Sequence, residues 1–231
     1  MVSFIEALLR HTLKFPLTVT TELSILLPLL FVGGYKDKPP YLRWVVIFIG
    51  WTTFRNLTSI VTSSYRINNL MLFNADLLVR ALLLLAMFYH TFPYTYEKKA
   101  IVVVGVLFTL FFGFDFVWSN PNLSDWQNHR LNRYSYVVEN VLMLTLVLRF
   151  FLYLVRELPV DNLLEYPMFW ICCGLLIAHA GSVFLSPFIH YTFVWNGTFK
   201  LPVMVIIEQC VEITRNIGLA IALSHARRLT L

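Results

Sequence analysis

Charge is scarce in this chain. Only 13% of its 231 residues are Asp, Glu, Lys or Arg, and 58% are hydrophobic. An ordinary soluble domain carries roughly 25% charged residues, so this composition excludes one and indicates a polytopic membrane protein. The net charge of +5 needs no nucleic acid partner, because basic loops are how membrane helices fix their orientation. Cysteine is equally sparse. Cys172, Cys173 and Cys210 all lie in apolar stretches and form no CxxC pair, which argues against a disulfide framework or a metal site. They read as small hydrophobes.

Other absences narrow the chemistry. No HExxH or paired-histidine spacing accompanies His179, so it reads as a hydrogen-bonded packing residue and no cofactor is expected. No nucleophile–base set or His/Asp cluster falls at one level, which argues against an enzyme. All six lysines lie at the ends of apolar runs or in loops, leaving no attachment point for a covalent retinal. No Pro-Gln dipeptide or internal repeat suggests a carrier built from three-helix units. The opening residues MVSFIEALLRHTLK lack the continuous apolar core of a cleavable leader. They place Ile5, Leu8, Leu9 and Leu13 on one helical face, so residues 1–14 read as an amphipathic helix lying in the membrane interface.

What the chain has in quantity is apolar runs. A span needs about 20 mostly apolar residues. Seven candidates occur, at 15–34, 44–63, 70–89, 100–118, 134–154, 167–187 and 201–223. No Gly/Ser linker or charge block divides them. The expected fold is therefore an all-α membrane protein, with residues 15–231 forming one seven-transmembrane-helix bundle. Pro28 should kink the first span. Nine loop or span-end Lys and Arg fall on the side of the C-terminus and six on the other, so the N-terminus is expected outside and the C-terminus inside. A small-residue strip, Gly174, Ala178 and Gly181 or Ser182, suits close helix packing. Asn122 and Asn196 open glycosylation-type tripeptides, which matter only in a eukaryotic secretory pathway. The aromatic-rich stretches 119–136 and 186–200 suit either a lid or an interfacial belt.

Against this apolar background nine ionisable residues other than His stand inside the runs: Glu22, Arg55, Asp76, Arg80, Asp115, Glu139, Glu208, Glu212 and Arg215. On the insertion scale an Asp, Lys or Arg at a helix centre costs about 2.5–3.5 kcal/mol, and Glu should be similar. Most of them cluster toward the outer ends of their runs. Asp76 and Arg80 are four apart and Glu212 and Arg215 three apart, so each pair can meet on one helix. Arg55 has Glu22 or Glu208 as natural partners. Six acids face three arginines, which leaves three carboxylates to be neutralised by protonation, a cation or nearby water.

The stretches RINNLMLFNADLL (66–78) and YPMFWICCGLLIAHAGSVF (166–184) resemble small seven-span integral membrane proteins of the Bacteroidota, a group without an assigned chemistry. The resemblance implies a multi-pass protein of a bacterial inner membrane and no catalytic residue. Taken with the charges, the expectation is a receptor-like sensor. It would bind a small cationic ligand or a proton in an outward polar pocket formed by Glu22, Arg55, Asp76, Arg80, Glu139, Glu208, Glu212 and Arg215. Its partners would be the lipid bilayer, that ligand and a cytoplasmic signalling protein. A proton-coupled transporter using the same charges as a relay, and a structural or assembly subunit held together by ion pairs, remain the alternatives.

Overall fold

A computed structural model describes residues 4–33, 38–122, 129–157, 162–194 and 202–228, the side chains of 4, 7, 186–194, 202–205, 227 and 228 excepted. Among the described residues the protein is helical, without strands. The elements are α1 (Phe4–Lys14), α2 (Pro16–Ser24), α3 (Leu26–Leu29), α4 (Pro40–Ser64), α5 (Leu70–Thr91), α6 (Thr95–Ser119), α7 (Arg133–Glu157), α8 (Pro167–Val194) and α9 (Pro202–Arg228), with a 3-10 turn at Leu163–Glu165 before α8. Lys36, Lys200, Asn196, all but Asn122 of its tripeptide and the centre of the 119–136 stretch lie outside the described residues.

Five helices are long and apolar enough to cross a bilayer: α4, α5, α6, α7 and the Pro167–Leu185 part of α8. Their outward faces suit lipid. On α6, Val102, Val106, Leu110 and Phe114 are each more than half exposed, a band of apolar surface that a water-facing protein does not tolerate. This is a multi-pass, lipid-associated helical protein. The other two expected spans differ from these five. The first is short and interrupted: α2 stops at Ser24, and α3 resumes at Leu26. Pro28 accounts for the break, because its ring and missing N–H disrupt the bond to the carbonyl four residues back, at Ser24. The last, α9, is 27 residues long, but Glu208, Glu212 and Arg215 dilute its apolar run.

The chain forms two compact units. The first comprises residues 1–23 and 39–139, the second 24–38 and 140–231. In the first unit α1 packs on α4, α4 on α5, and α5 on α6. Thr residues such as Thr53, Thr58 and Thr62 donate their hydroxyls to carbonyls one turn back, which hides those polar atoms within their own helix. Helix α4 ends with Arg66 in the left-handed region, at φ 57°. The Ile67 amide reaches the Thr62 carbonyl and the Arg66 amide that of Ser63, closing a Schellman turn.

In the second unit the dominant contact is α8 against α9, with α3 also on α9. Glycines set its closeness. A Cβ at Gly218 would lie 3.1 Å from the Trp170 carbonyl oxygen and 3.2 Å from Gly174 Cα. One at Gly174 would lie 3.1 Å from the Arg215 carbonyl. Gly181 faces Val211 in the same way, so two members of the small-residue strip meet α9 directly. His179 is buried, its Nδ1 2.8 Å from Asn140 Oδ1, which is a packing bond. Tyr166, just before α8, stacks on Phe150; burial pushes its phenol up to about 12.

Candidate functional site

The first unit holds a charge network built across three helices. Asp76, on α5 and 3% exposed, is its hub. Trp51 on α4 donates its indole N–H to Asp76 Oδ1 at 2.8 Å. One turn along α4, Arg55 Nε lies 3.3 Å from Asp76 Oδ2. Nε there makes no formal hydrogen bond, so the contact is ionic rather than directional. The Arg55 guanidinium also rests on the ring of Phe73, 5.1 Å from its centroid, a cation–π contact in a nearly dry setting.

Arg80 joins this hub to α7. Its Nη1 lies 3.9 Å from Asp76 Oδ2, at the edge of ion-pair range. Its stronger bond is a two-pronged one to Glu139, Nε to Oε1 at 2.8 Å and Nη2 to Oε2 at 2.6 Å. Glu139 is wholly buried. A guanidinium fork matches a carboxylate best when the two approach head-on, and Glu139 meets Arg80 that way, whereas Asp76 is already engaged by Trp51 and Arg55. The expected Asp76–Arg80 pair is thus present but secondary. Arg55 meets Asp76, because α5 lies against α4 and brings a carboxylate to it. Two arginines and two carboxylates thus meet in this network.

Beside it stands Glu22 on α2. Its Oε1 accepts the Ser59 hydroxyl at 2.8 Å, and its backbone carbonyl accepts the Asn56 amide at 2.7 Å. Its Oε2 is buried and has no hydrogen-bond partner among the described residues. The Arg55 charge reaches this carboxyl. Ser59 and Asn56 of α4 thus hold one carboxylate oxygen and the backbone of Glu22, and the other carboxylate oxygen has no hydrogen-bond partner among the described residues.

A second polar group in this unit fastens the start of α7. Asp115 Oδ2 accepts the Ser135 backbone N–H at 2.8 Å and its hydroxyl at 2.7 Å. A carboxylate on the first turn of a helix satisfies an orphan amide and complements the helix dipole. Asn74 donates to the Arg130 carbonyl and accepts from the Asn132 amide. Asn120 Oδ1 accepts the Arg130 amide at 2.6 Å. Asp115 thus holds a helix terminus and does not join the charge network.

The remaining expected residues, Glu208, Glu212 and Arg215, lie on α9 in the second unit. Arg215 on α9 is 3% exposed. It reaches Glu212, three residues earlier, by Nη1 to Oε1 at 3.0 Å and Nη2 to Oε2 at 2.5 Å. It also donates to Asn216 Oδ1, and Asn216 Nδ2 donates to Ser24 Oγ at 2.7 Å. Glu212 keeps 28% of its side chain exposed. Glu208 is half-buried on the same helix.

Arg55, Arg80 and Arg215 thus meet Asp76, Glu139 and Glu212. Counting charge misses the neutral members: Trp51, Asn56, Asn74, Asn120, Asn140 and Asn216. An amide inside an apolar helix costs enough to be informative, so counting Asn within the runs would have flagged several of them. Among the described residues no group of three or more His, Cys, Asp or Glu is placed to hold a metal ion. No family model, curated protein or solved structure matches this chain.

Proposed function

We propose that this is a seven-span, receptor-like sensor of a bacterial inner membrane, with its N-terminus outside and its C-terminus inside, responding to a proton or a small cation. The observation that carries the reading is the Glu22 carboxyl. One oxygen is held by Ser59 and the other is buried with no hydrogen-bond partner among the described residues. Arg55, shared between Asp76 and the field of Glu22, supplies the lever. Neutralising Glu22 frees Arg55 to close on Asp76, whereas a charged Glu22 pulls it back. Because Asp76 also touches Arg80, and Arg80 grips Glu139, such a shift is passed to α7. A cytoplasmic partner would read the movement.

The test is a thermal-shift titration of the purified full chain against pH and against small amines. The expected result is a ligand- or pH-dependent change in Tm that Glu22→Gln abolishes while Glu208→Gln leaves it in place. A profile that Glu22→Gln does not alter removes the sensor reading. The structural reading has support of its own in the two-pronged Arg80–Glu139 bond, whose geometry suits a permanent tie. It expects an Arg80→Met, Glu139→Met double variant to retain whatever response the native chain shows.

A further inference from the structure

A groove of about 520 Å³ runs along the lipid-facing side of α4, α5 and α6 in the first unit. Its walls are Leu82, Leu85 and Ala86 from α5 and Val102, Gly105 and Leu110 from α6. Gly105 opens it, since a side chain there would point toward Leu85, whose Cδ1 lies 3.5 Å from a Cβ position. The Thr109 hydroxyl in its wall is turned back to the Gly105 carbonyl at 2.8 Å, so the interior stays apolar. From Leu82 to His90 on α5 is eight residues, about 12 Å at the helical rise, and Ile101 to Leu110 on α6 is about 14 Å. The hydrocarbon of one leaflet is about 15 Å deep. The groove is as long as one leaflet's acyl layer.

One end of it is polar and basic. Trp44 and His90 stack there, centroids 6.3 Å apart, and Tyr89 meets His90 edge-on. The Lys98 ammonium lies over the Tyr89 ring, 5.8 Å from its centroid. Arg43 adjoins Trp44 and Lys99 adjoins Lys98 in sequence, and both are exposed. The carboxylate of the same turn, Glu97, is buried at 7% exposure. Amphipathic aromatics and snorkelling cations at a helix end mark the headgroup level.

We propose that this groove holds one acyl chain of an anionic phospholipid, with the lipid phosphate held at the Trp44–His90–Lys98 rim. The apolar channel of one-leaflet length specifies an acyl chain, and the basic rim specifies a negative headgroup. A Lys or Arg at the membrane surface contributes about 1 kcal/mol toward anionic lipid, roughly fivefold in affinity. The site is separate from the Glu22 cluster and stands without the sensor reading.

Native mass spectrometry of the full chain, titrated in detergent with phosphatidylglycerol and with phosphatidylcholine, tests it. The expected result is one retained phosphatidylglycerol, preferred severalfold over phosphatidylcholine. Lys98→Gln should lower that preference about fivefold, and Val106→Trp should lose the retained lipid by filling the channel. Val106 is 56% exposed, so the larger ring does not disturb the core. Gly105→Leu, which fills the same channel, serves as the second variant should Val106→Trp fail to fold. Equal retention of both lipids, a preference that survives Lys98→Gln and the filled groove, or a dimer that Val106→Trp dissociates would each overturn the proposal.

Discussion

Arg80 and Arg215 both lie largely within the packing of apolar helices, with side chains 12% and 4% exposed, and both hold a glutamate through two guanidinium nitrogens, yet they are satisfied in different ways. The partner of Arg80 comes from another helix, 59 residues away, and is wholly buried. The partner of Arg215 comes from its own helix, three residues away, and keeps part of its side chain exposed. The first unit therefore ties its helices with side-chain charge, whereas the second brings α8 and α9 together by glycine and keeps its ion pair local. A charge pair within one helix leaves that helix free to choose its neighbours. A pair across helices chooses the neighbour.

The largest expected effect follows from that difference. Arg80→Met removes the two-pronged partner of Glu139 in a dry site and should cost about 3–5 kcal/mol. Arg215→Met leaves a Glu212 that is partly exposed rather than enclosed, and should cost about 1–3 kcal/mol. Unfolding by a graded denaturant in lipid micelles measures both. Equal losses would dissolve the contrast. Adding Glu139→Met to Arg80→Met should recover much of the loss, because the buried carboxylate is then gone.

Next comes the glycine contact. Gly218→Val drives a branched side chain onto the Trp170 carbonyl and Gly174 backbone, neither of which can swing aside. About 1–3 kcal/mol of overpacking cost is expected in the same assay. Gly105→Ala in the first unit meets only the end of Leu85 at 3.5 Å and should leave stability unchanged. A similar loss at both glycines would mean that close backbone approach is not what distinguishes the second unit.

The smallest effect sharpens the account of the first unit. Asp115→Asn keeps a hydrogen-bond acceptor but removes the negative charge at the start of α7, where such a charge is worth about 0.3–1 kcal/mol and at most about 2 kcal/mol when partly buried. Amide exchange at Ser135 and its neighbours should quicken severalfold, with little change around Arg80. Unchanged exchange there would show that the loop before α7 is held by Asn74 and Asn120 alone.

Much of this was legible in the chain itself. Apolar runs of about 20 residues predict helices that can cross a bilayer, because an unpaired backbone group in hydrocarbon is too costly for any other element. Six of the seven runs coincide with long helices, and five of those are apolar enough to span. Pairing within one helix was equally readable at Glu212 and Arg215, since the 3.6-residue turn alone brings them together. The count of three carboxylates in excess of arginine also came from composition. Which carboxylate each arginine takes did not. Arg55 turning to Asp76, Arg80 to Glu139, and Asp115 to the first turn of α7 depend on which helix lies beside which. So does the anchoring of residues 129–132 by Asn74 and Asn120. Periodicity sets which side chains share a face of one rod, but contacts between rods arise only when packing selects the neighbours, and no spacing along the chain encodes that choice.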